Sequence, residues 1–130
     1  MGIFTSNKKK TKDTIDKYFK EKNISLELKG DNYSFEIVNQ KEGFSLYPYF
    51  SYNEGTNDFS FLVNLKKIED TYDYKKLNEF NKNSKYLKAM VKDSIIYLEY
   101  NAKIDYSEFK TIMDLLIESV FIKSSEIDSL

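Results

Sequence analysis

Residues 74–104 read YKKLNEFNKNSKYLKAMVKDSIIYLEYNAKI, and the fold turns on them. The opening residues set Tyr74, Leu77, Phe80 and Asn81 on one helical face, with Asp73 ahead of them as an N-cap. Asn83-Ser84 ends this short helix. From Tyr86 the apolar period drops to two. Leu87, Ala89 and Val91 share a face; after a turn at Lys92-Asp93-Ser94, residues Ile96, Leu98, Tyr100 and Ala102 form the matching face of a second strand. The opposite face carries Lys88, Lys92, Glu99 and Asn101 and reads as wet, yet Met90, Ile95 and Tyr97 also lie on it.

Beyond the hairpin, Asp105 and Glu108 are spaced as a capping box with an acidic cap. Phe109, Ile112, Met113, Leu116, Val120 and Phe121 then repeat with the helical period, the strongest such signal in the chain. Residues 124–130 read as a tail.

Towards the amino terminus, Asp13 to Lys22 reads as a helix with an apolar stripe of Ile15, Tyr18 and Phe19, capped by Thr11 or Asp13 and ended by Asn23. Ile24 to Lys29 alternates, Gly30-Asp31-Asn32 turns, and Tyr33, Phe35 and Ile37 carry the alternation back as a hairpin. After a polar turn at 39–43, Phe44 to Tyr52 puts Phe44, Leu46, Pro48 and Phe50 on one face and Ser45, Tyr47, Tyr49 and Ser51 on the other. Pro48 cannot donate to a ladder, so this strand is an edge or breaks there. Past a turn at 53–57, Phe59, Phe61, Val63 and Leu65 alternate against polar residues, except that Leu62 interrupts the polar face.

The order is helix, four strands, helix, two strands, helix. Short turns make neighbouring strands antiparallel, and the amphipathic helices must cover one face. The expected fold is an α+β two-layer sandwich: one domain over 11–123, a flexible tail over 1–10 and a carboxy-terminal tail over 124–130.

Composition removes whole classes of chemistry. Among 130 residues there is no cysteine, histidine or tryptophan, and every basic residue is lysine. That excludes disulfides, thiolate nucleophiles, Cys/His zinc sites and imidazole bases. It also removes the bidentate arginine fork for phosphate. No cofactor or metal site is expected. A net charge of −1 with mixed signs argues against a nucleic-acid footprint. No apolar run nears the ~20 residues of a membrane span, and the start lacks a signal-peptide core. A cytoplasmic protein is the expectation, with nucleic acid and membrane set aside as partners. Gly2 and Ser6, followed by Lys8-Lys9-Lys10-Thr11-Lys12, satisfy a loose myristoylation pattern; a solvated tail explains them more simply.

Four features compete for function. Tyr47, Tyr49 and Tyr52 lie in the run Tyr47-Pro48-Tyr49-Phe50-Ser51-Tyr52, a candidate partner-binding edge because tyrosine is enriched in interface hot spots. AT-rich coding, which the Lys, Asn, Tyr, Phe and Ile bias matches, places surface tyrosines without any function. Asn81 reads as structural, its amide serving local backbone. Glu69, Asp70 and Asp73 make an acidic cluster that capping and linker chemistry accounts for. Lysines 75, 76, 82, 85, 88 and 92 form a basic strip suited to solvent or to an acidic partner.

The segment Leu77-Asn78-Glu79-Phe80-Asn81, leading into a lysine-bearing hairpin and a capped helix, resembles the bacterial sensory-transduction regulator (YbjN-like) family, which shares its architecture with type III secretion chaperones. That family carries Leu-Asn-x-Leu-Asn; here Phe80 stands at the second leucine, and the usual acidic glycine turn is reduced to Asp93-Ser94. The resemblance implies a small cytoplasmic domain, often a homodimer, that binds other polypeptides and has no catalytic centre. The expected function is therefore a non-enzymatic, chaperone-like or regulator-like protein-interaction domain. The alternative is a small inhibitor or immunity-type protein, phage or plasmid borne, that blocks one enzyme. An enzyme working with carboxylates alone is the third reading.

Overall fold

The computed structural model describes the backbone of residues 3–40 and 43–128 and the side chains of 10–40 and 43–124. Gly2, on which the acylation pattern rests, lies outside the described residues. The chain forms α1 (Ile3–Glu21), β1 (Leu26–Lys29), β2 (Asn32–Phe35), β3 (Ile37–Asn39), β4 (Phe44–Leu46), β5 (Tyr49–Asn53), β6 (Asp58–Lys67), α2 (Tyr74–Asn83), β7 (Lys88–Lys92), β8 (Ile95–Lys103), a 3-10 turn over Tyr106–Glu108, and α3 (Phe109–Asp128). Six strands build one antiparallel sheet in the order β1-β2-β5-β6-β8-β7, and β3 pairs with β4. This is the α+β sandwich expected from the patterning. Among the described residues no helix is long and apolar enough to cross a membrane.

Helices α1 and α3 roof one face of the sheet. Phe19 of α1 stacks on Phe50 of β5 at 5.7 Å, and Phe109 of α3 lies against both Phe50 and Phe59. Phe59, Phe61 and Val63 of β6 and Ile96 and Leu98 of β8 complete this core, all fully buried. The alternation read from the sequence puts them there, since a strand turns every second side chain to the same side.

Two strands expected to be continuous are each divided, β2 from β3 at Glu36 and β4 from β5 at Tyr47-Pro48. The pairing register nevertheless runs through the break. Tyr33↔Phe50 and Ser34↔Tyr49 continue in step as Ile37↔Leu46 and Asn39↔Phe44. The Phe35 N–H donates to the Pro48 carbonyl at 3.2 Å across the join. The four strands are thus one hairpin bent at Pro48, whose missing N–H interrupts the ladder. The edge position, the other outcome the proline allowed, does not occur: β5 lies between β2 and β6.

Helix α1 takes in most of residues 1–10, which patterning read as tail, and Thr11 is buried within it rather than capping it. Lysine is a good helix former but draws no apolar stripe, so periodicity cannot see a helix turn made of it. Helical backbone likewise runs on to Asp128. At the other end of α1, Asn23 takes φ +57°; its N–H donates to the Lys20 carbonyl at 3.1 Å and that of Ile24 to the Phe19 carbonyl at 2.9 Å. This is a Schellman ending with asparagine in the left-handed position.

The β7–β8 turn is tighter. Asp93 and Ser94, between the paired Lys92 and Ile95, take φ +53° and +63°. Type I′ hairpins need positive φ at both central residues, and a β-carbon there is strained. Ser94→Gly should stabilise the fold by about 0.5–1 kcal/mol, the strain relief exceeding the entropy added to the unfolded chain. Thermal melting should rise by about 2–4 °C, the scale for a domain of this size. The Ile68 N–H to Ser94 carbonyl bond, 2.8 Å, involves backbone alone and survives the change.

A polar clamp ties α1 to α3. The Tyr18 hydroxyl donates to Asp114 Oδ1 at 2.7 Å, and Lys22 Nζ lies 3.3 Å from the same oxygen. The Tyr18 hydrogen bond, helped by Lys22, holds the Asp114 carboxyl below its ordinary range; burial and Asp114 push the Tyr18 hydroxyl well up. A carboxyl depressed in the fold stabilises it above the unfolded value, about 4, and that stabilisation is lost as pH falls through the folded one. Asp114→Asn should therefore melt below the wild type at pH 7, with the gap closing in acid. Melting curves of both proteins from pH 7 to pH 2.5 test this, and a gap that does not narrow contradicts it.

The uncovered sheet face as candidate functional site

The face of the sheet turned away from α1 and α3 stays open to solvent. Strand alternation puts Tyr49 and Ser51 of β5, Ser60, Leu62 and Asn64 of β6, Tyr97, Glu99 and Asn101 of β8, and Lys88, Met90 and Lys92 of β7 on that side. Ser60, Asn64, Asn101 and Met90 are exposed, Met90 to 44%; Tyr49, Leu62, Ile95 and Tyr97 are half-buried.

Register makes a band of the apolar ones. Tyr49 pairs with Leu62, Met90 with Tyr97, and Ile95 sits one step along the same face of β8. Leu62 and Tyr97 come from strands far apart in sequence, brought together by the β6–β8 ladder. At the β5 end the band opens into a groove of about 230 Å³ lined by Asn32, Tyr49, Ser51, Ser60, Leu62 and Asn101. Small-molecule sites run from ~300 to 1,000 Å³, so this hollow suits a side chain better than a substrate. The Ser60 hydroxyl donates to Asn101 Oδ1 at 2.7 Å, and Glu99, which also lines the groove, puts a carboxylate on its polar border.

The three tyrosines singled out by sequence are not brought together. Tyr49 belongs to the open face. Tyr47, 64% exposed at the bend, lies on the same side of the hairpin, and its hydroxyl donates to Glu36 Oε2 at 3.0 Å. That bond is the main reason its ionisation is pushed up. Tyr52 belongs to the helix side: it pairs with Phe59, its ring lies 6.4 Å from the Phe59 ring, and its hydroxyl donates to the Ile104 carbonyl at 2.6 Å. Burial first, then Asp105 and Glu108, push its hydroxyl up to about 12. Tyr52 therefore knits the sheet to the segment before α3, and an edge strand bearing all three rings is corrected by the interior position of β5.

Asn81, inside α2, pairs its whole carboxamide with one residue of the edge strand β7. Its Nδ2 donates to the Ala89 carbonyl at 2.9 Å, and the Ala89 N–H donates to Asn81 Oδ1 at 2.7 Å. Next to it the Ser84 hydroxyl donates to the Leu87 carbonyl. Lys88 Nζ donates to the Asn81 and Ser84 carbonyls, placing a cation on the negative end of α2. The exposed ladder edge is thereby closed by side chains. Asp73 caps α2 through the Lys75 N–H at 3.0 Å. Among the described residues no group of three or more carboxylates is placed to hold a metal ion.

Sequence reading missed the band as a surface. Its members were visible singly, as Leu62, Met90, Ile95 and Tyr97 interrupting polar faces, but only the β6–β8 pairing joins them.

No family model matches the sequence, and no curated protein matches it. In fold it is similar to a chain of the solved structure "Structure of the HopA1-SchA Chaperone-Effector Complex". The alignment covers 84% of this chain and 88% of that one, with a TM-score of 0.56 and 11% identity. At that identity the likeness is one of fold. The regulator family drawn from Leu77–Asn81 is not shown.

Proposed function

We propose that this chain is a non-enzymatic, chaperone-like module that docks another polypeptide on the open sheet face. The observation that carries the reading is the apolar band Tyr49, Leu62, Tyr97, Met90 and Ile95 on a face that neither α1 nor α3 covers. Apolar surface with a polar border is the anatomy of an interface centre, and tyrosine and methionine are enriched there. The fold likeness to a chain of a chaperone–effector complex supports it.

The test starts with a photo-crosslinking side chain at position 62 in the cell of origin, followed by purification of the captured polypeptide. Leu62→Asp sets a second carboxylate opposite Glu99, its register partner. It should weaken the purified partner by at least about tenfold, about 1.4 kcal/mol, with little change in melting. Tyr47→Ala combined with Tyr49→Ala should act in the same direction. Leu62→Asp binding as tightly as the wild type would end the proposal, and so would a double tyrosine variant that loses binding only because it unfolds.

A further inference from the structure

The charge at the β7 end of the band is positive on balance. From Lys66 to Asp93 stand eight lysines against five carboxylates, a surplus of three positive charges in a chain of net −1. That segment takes in the end of β6, α2 and β7, which flank one end of the band. On the open face itself, Lys67 and Lys92 both stand opposite Ile95 in register, and Lys88 stands opposite Glu99.

Carboxylates also stand at this end: Glu69 and Asp70, both exposed, follow Lys67 on the segment whose Ile68 N–H bonds the Ser94 carbonyl. Glu79 is paired with Lys82 at 3.3 Å, and Asp73 caps α2. Glu99 accepts from the Asn101 carboxamide, and Asp93 lies in the turn. Lys88 is turned to the carbonyls ending α2. Among the described residues Lys67 and Lys92 make no salt bridge, and both are exposed.

We propose, resting on the docking reading above, that the segment received here is acidic as well as apolar: its apolar side chains cover Leu62, Tyr97 and Met90 while its carboxylates meet Lys67 and Lys92. From β5 to β7 the band is three strand spacings wide, about 14 Å, which an extended chain crosses in four or five residues. Nucleic acid is the weaker fit. The rings of the band, Tyr49 and Tyr97, are separated by aliphatic Leu62 and followed by Met90, so they make no continuous stacking platform, and there is no arginine to grip phosphate.

Three probes of equal length separate the cases: a peptide alternating glutamate and leucine, one alternating lysine and leucine, and an oligothymidylate. Each is titrated into the full chain and followed by backbone amide shifts. The glutamate peptide should shift residues 62, 90, 95 and 97 and bind at least about tenfold tighter than the lysine peptide. Its affinity should fall with added salt, since exposed charges are screened beyond ~10 Å at 0.1 M. Lys67→Glu combined with Lys92→Glu should abolish the preference; both lysines are exposed and make no salt bridge among the described residues. Equal binding of both peptides, tighter binding of the oligothymidylate, or a preference that survives the charge reversal would overturn the inference. Loss of the natural partner in Leu62→Asp but not in the lysine double variant leaves the docking face standing and removes the acidic preference. If neither change affects the partner, the docking face itself falls.

Discussion

Phe109→Ala should bring this domain close to unfolding at room temperature. Phe109 opens α3 and is 1% exposed. Its ring lies 5.6 Å from Tyr18 and 6.4 Å from Phe19 on α1, 5.6 Å from Phe50 on β5 and 6.2 Å from Phe59 on β6. Truncating a buried phenylalanine costs about 3–5 kcal/mol, and the upper part of that range applies where the walls cannot collapse. Here the walls are held by three different elements, so closing the cavity would mean moving a helix or bending a sheet strand. Aromatic pairing adds about 0.5–1.5 kcal/mol per contact beyond area alone. Set against a typical total stability of about 5–15 kcal/mol, the loss is a large fraction of the whole. Urea midpoints measure it. Phe109→Leu, which keeps most of the volume, should cost less than about 2 kcal/mol. An alanine variant melting within about 3 °C of the wild type would mean that α3 is not anchored by this ring.

That ring cluster also shows what periodicity can and cannot reveal. The α3 stripe was legible because Phe109, Met113, Leu116 and Val120 bury one side of a helix, and all four are in the core. Phe59, Phe61 and Val63 were legible for the same reason at period two. Sequence spacing names the face a residue takes, but not the element that meets that face. Pro48 told of a break or an edge, and the choice depended on whether another strand would lie beyond β5. Tyr52 looked like a surface tyrosine until the Ile104 carbonyl arrived from 52 residues away. The lysine-rich start of α1 had no stripe to read. The candidate site suffered most, since Leu62 and Tyr97 come to lie diagonally across the β6–β8 ladder, and Lys67 comes opposite Ile95 only through the register shift between Asn64 and Lys66. Asn81 was easier, because a short polar side chain in the last turn of a short helix has few partners other than nearby backbone.

Asn81→Ala should cost about 2–4 kcal/mol, although the residue lies at the sheet margin and half in solvent. The carboxamide acts as a piece of strand: one atom accepts the Ala89 N–H, the other donates to the Ala89 carbonyl, and so β7 is paired on the side where the sheet ends. Ala89 is 1% exposed, so neither backbone group can turn to water once the amide is gone. Each orphaned group costs about 1–3 kcal/mol. Asn81→Asp separates the two bonds. The ionised carboxylate still accepts the N–H but faces the carbonyl without a proton, so at pH 7 this variant should also be destabilised. Protonation below about pH 4 returns the donor, and its deficit against the wild type should shrink in acid. A bare β7 margin is also a template for another chain. Asn81→Ala should therefore scatter more light with rising concentration, while Ser94→Gly in the same hairpin, which leaves the margin closed, should not. An alanine variant with unchanged melting and no self-association would show that water satisfies Ala89 as well as the amide does.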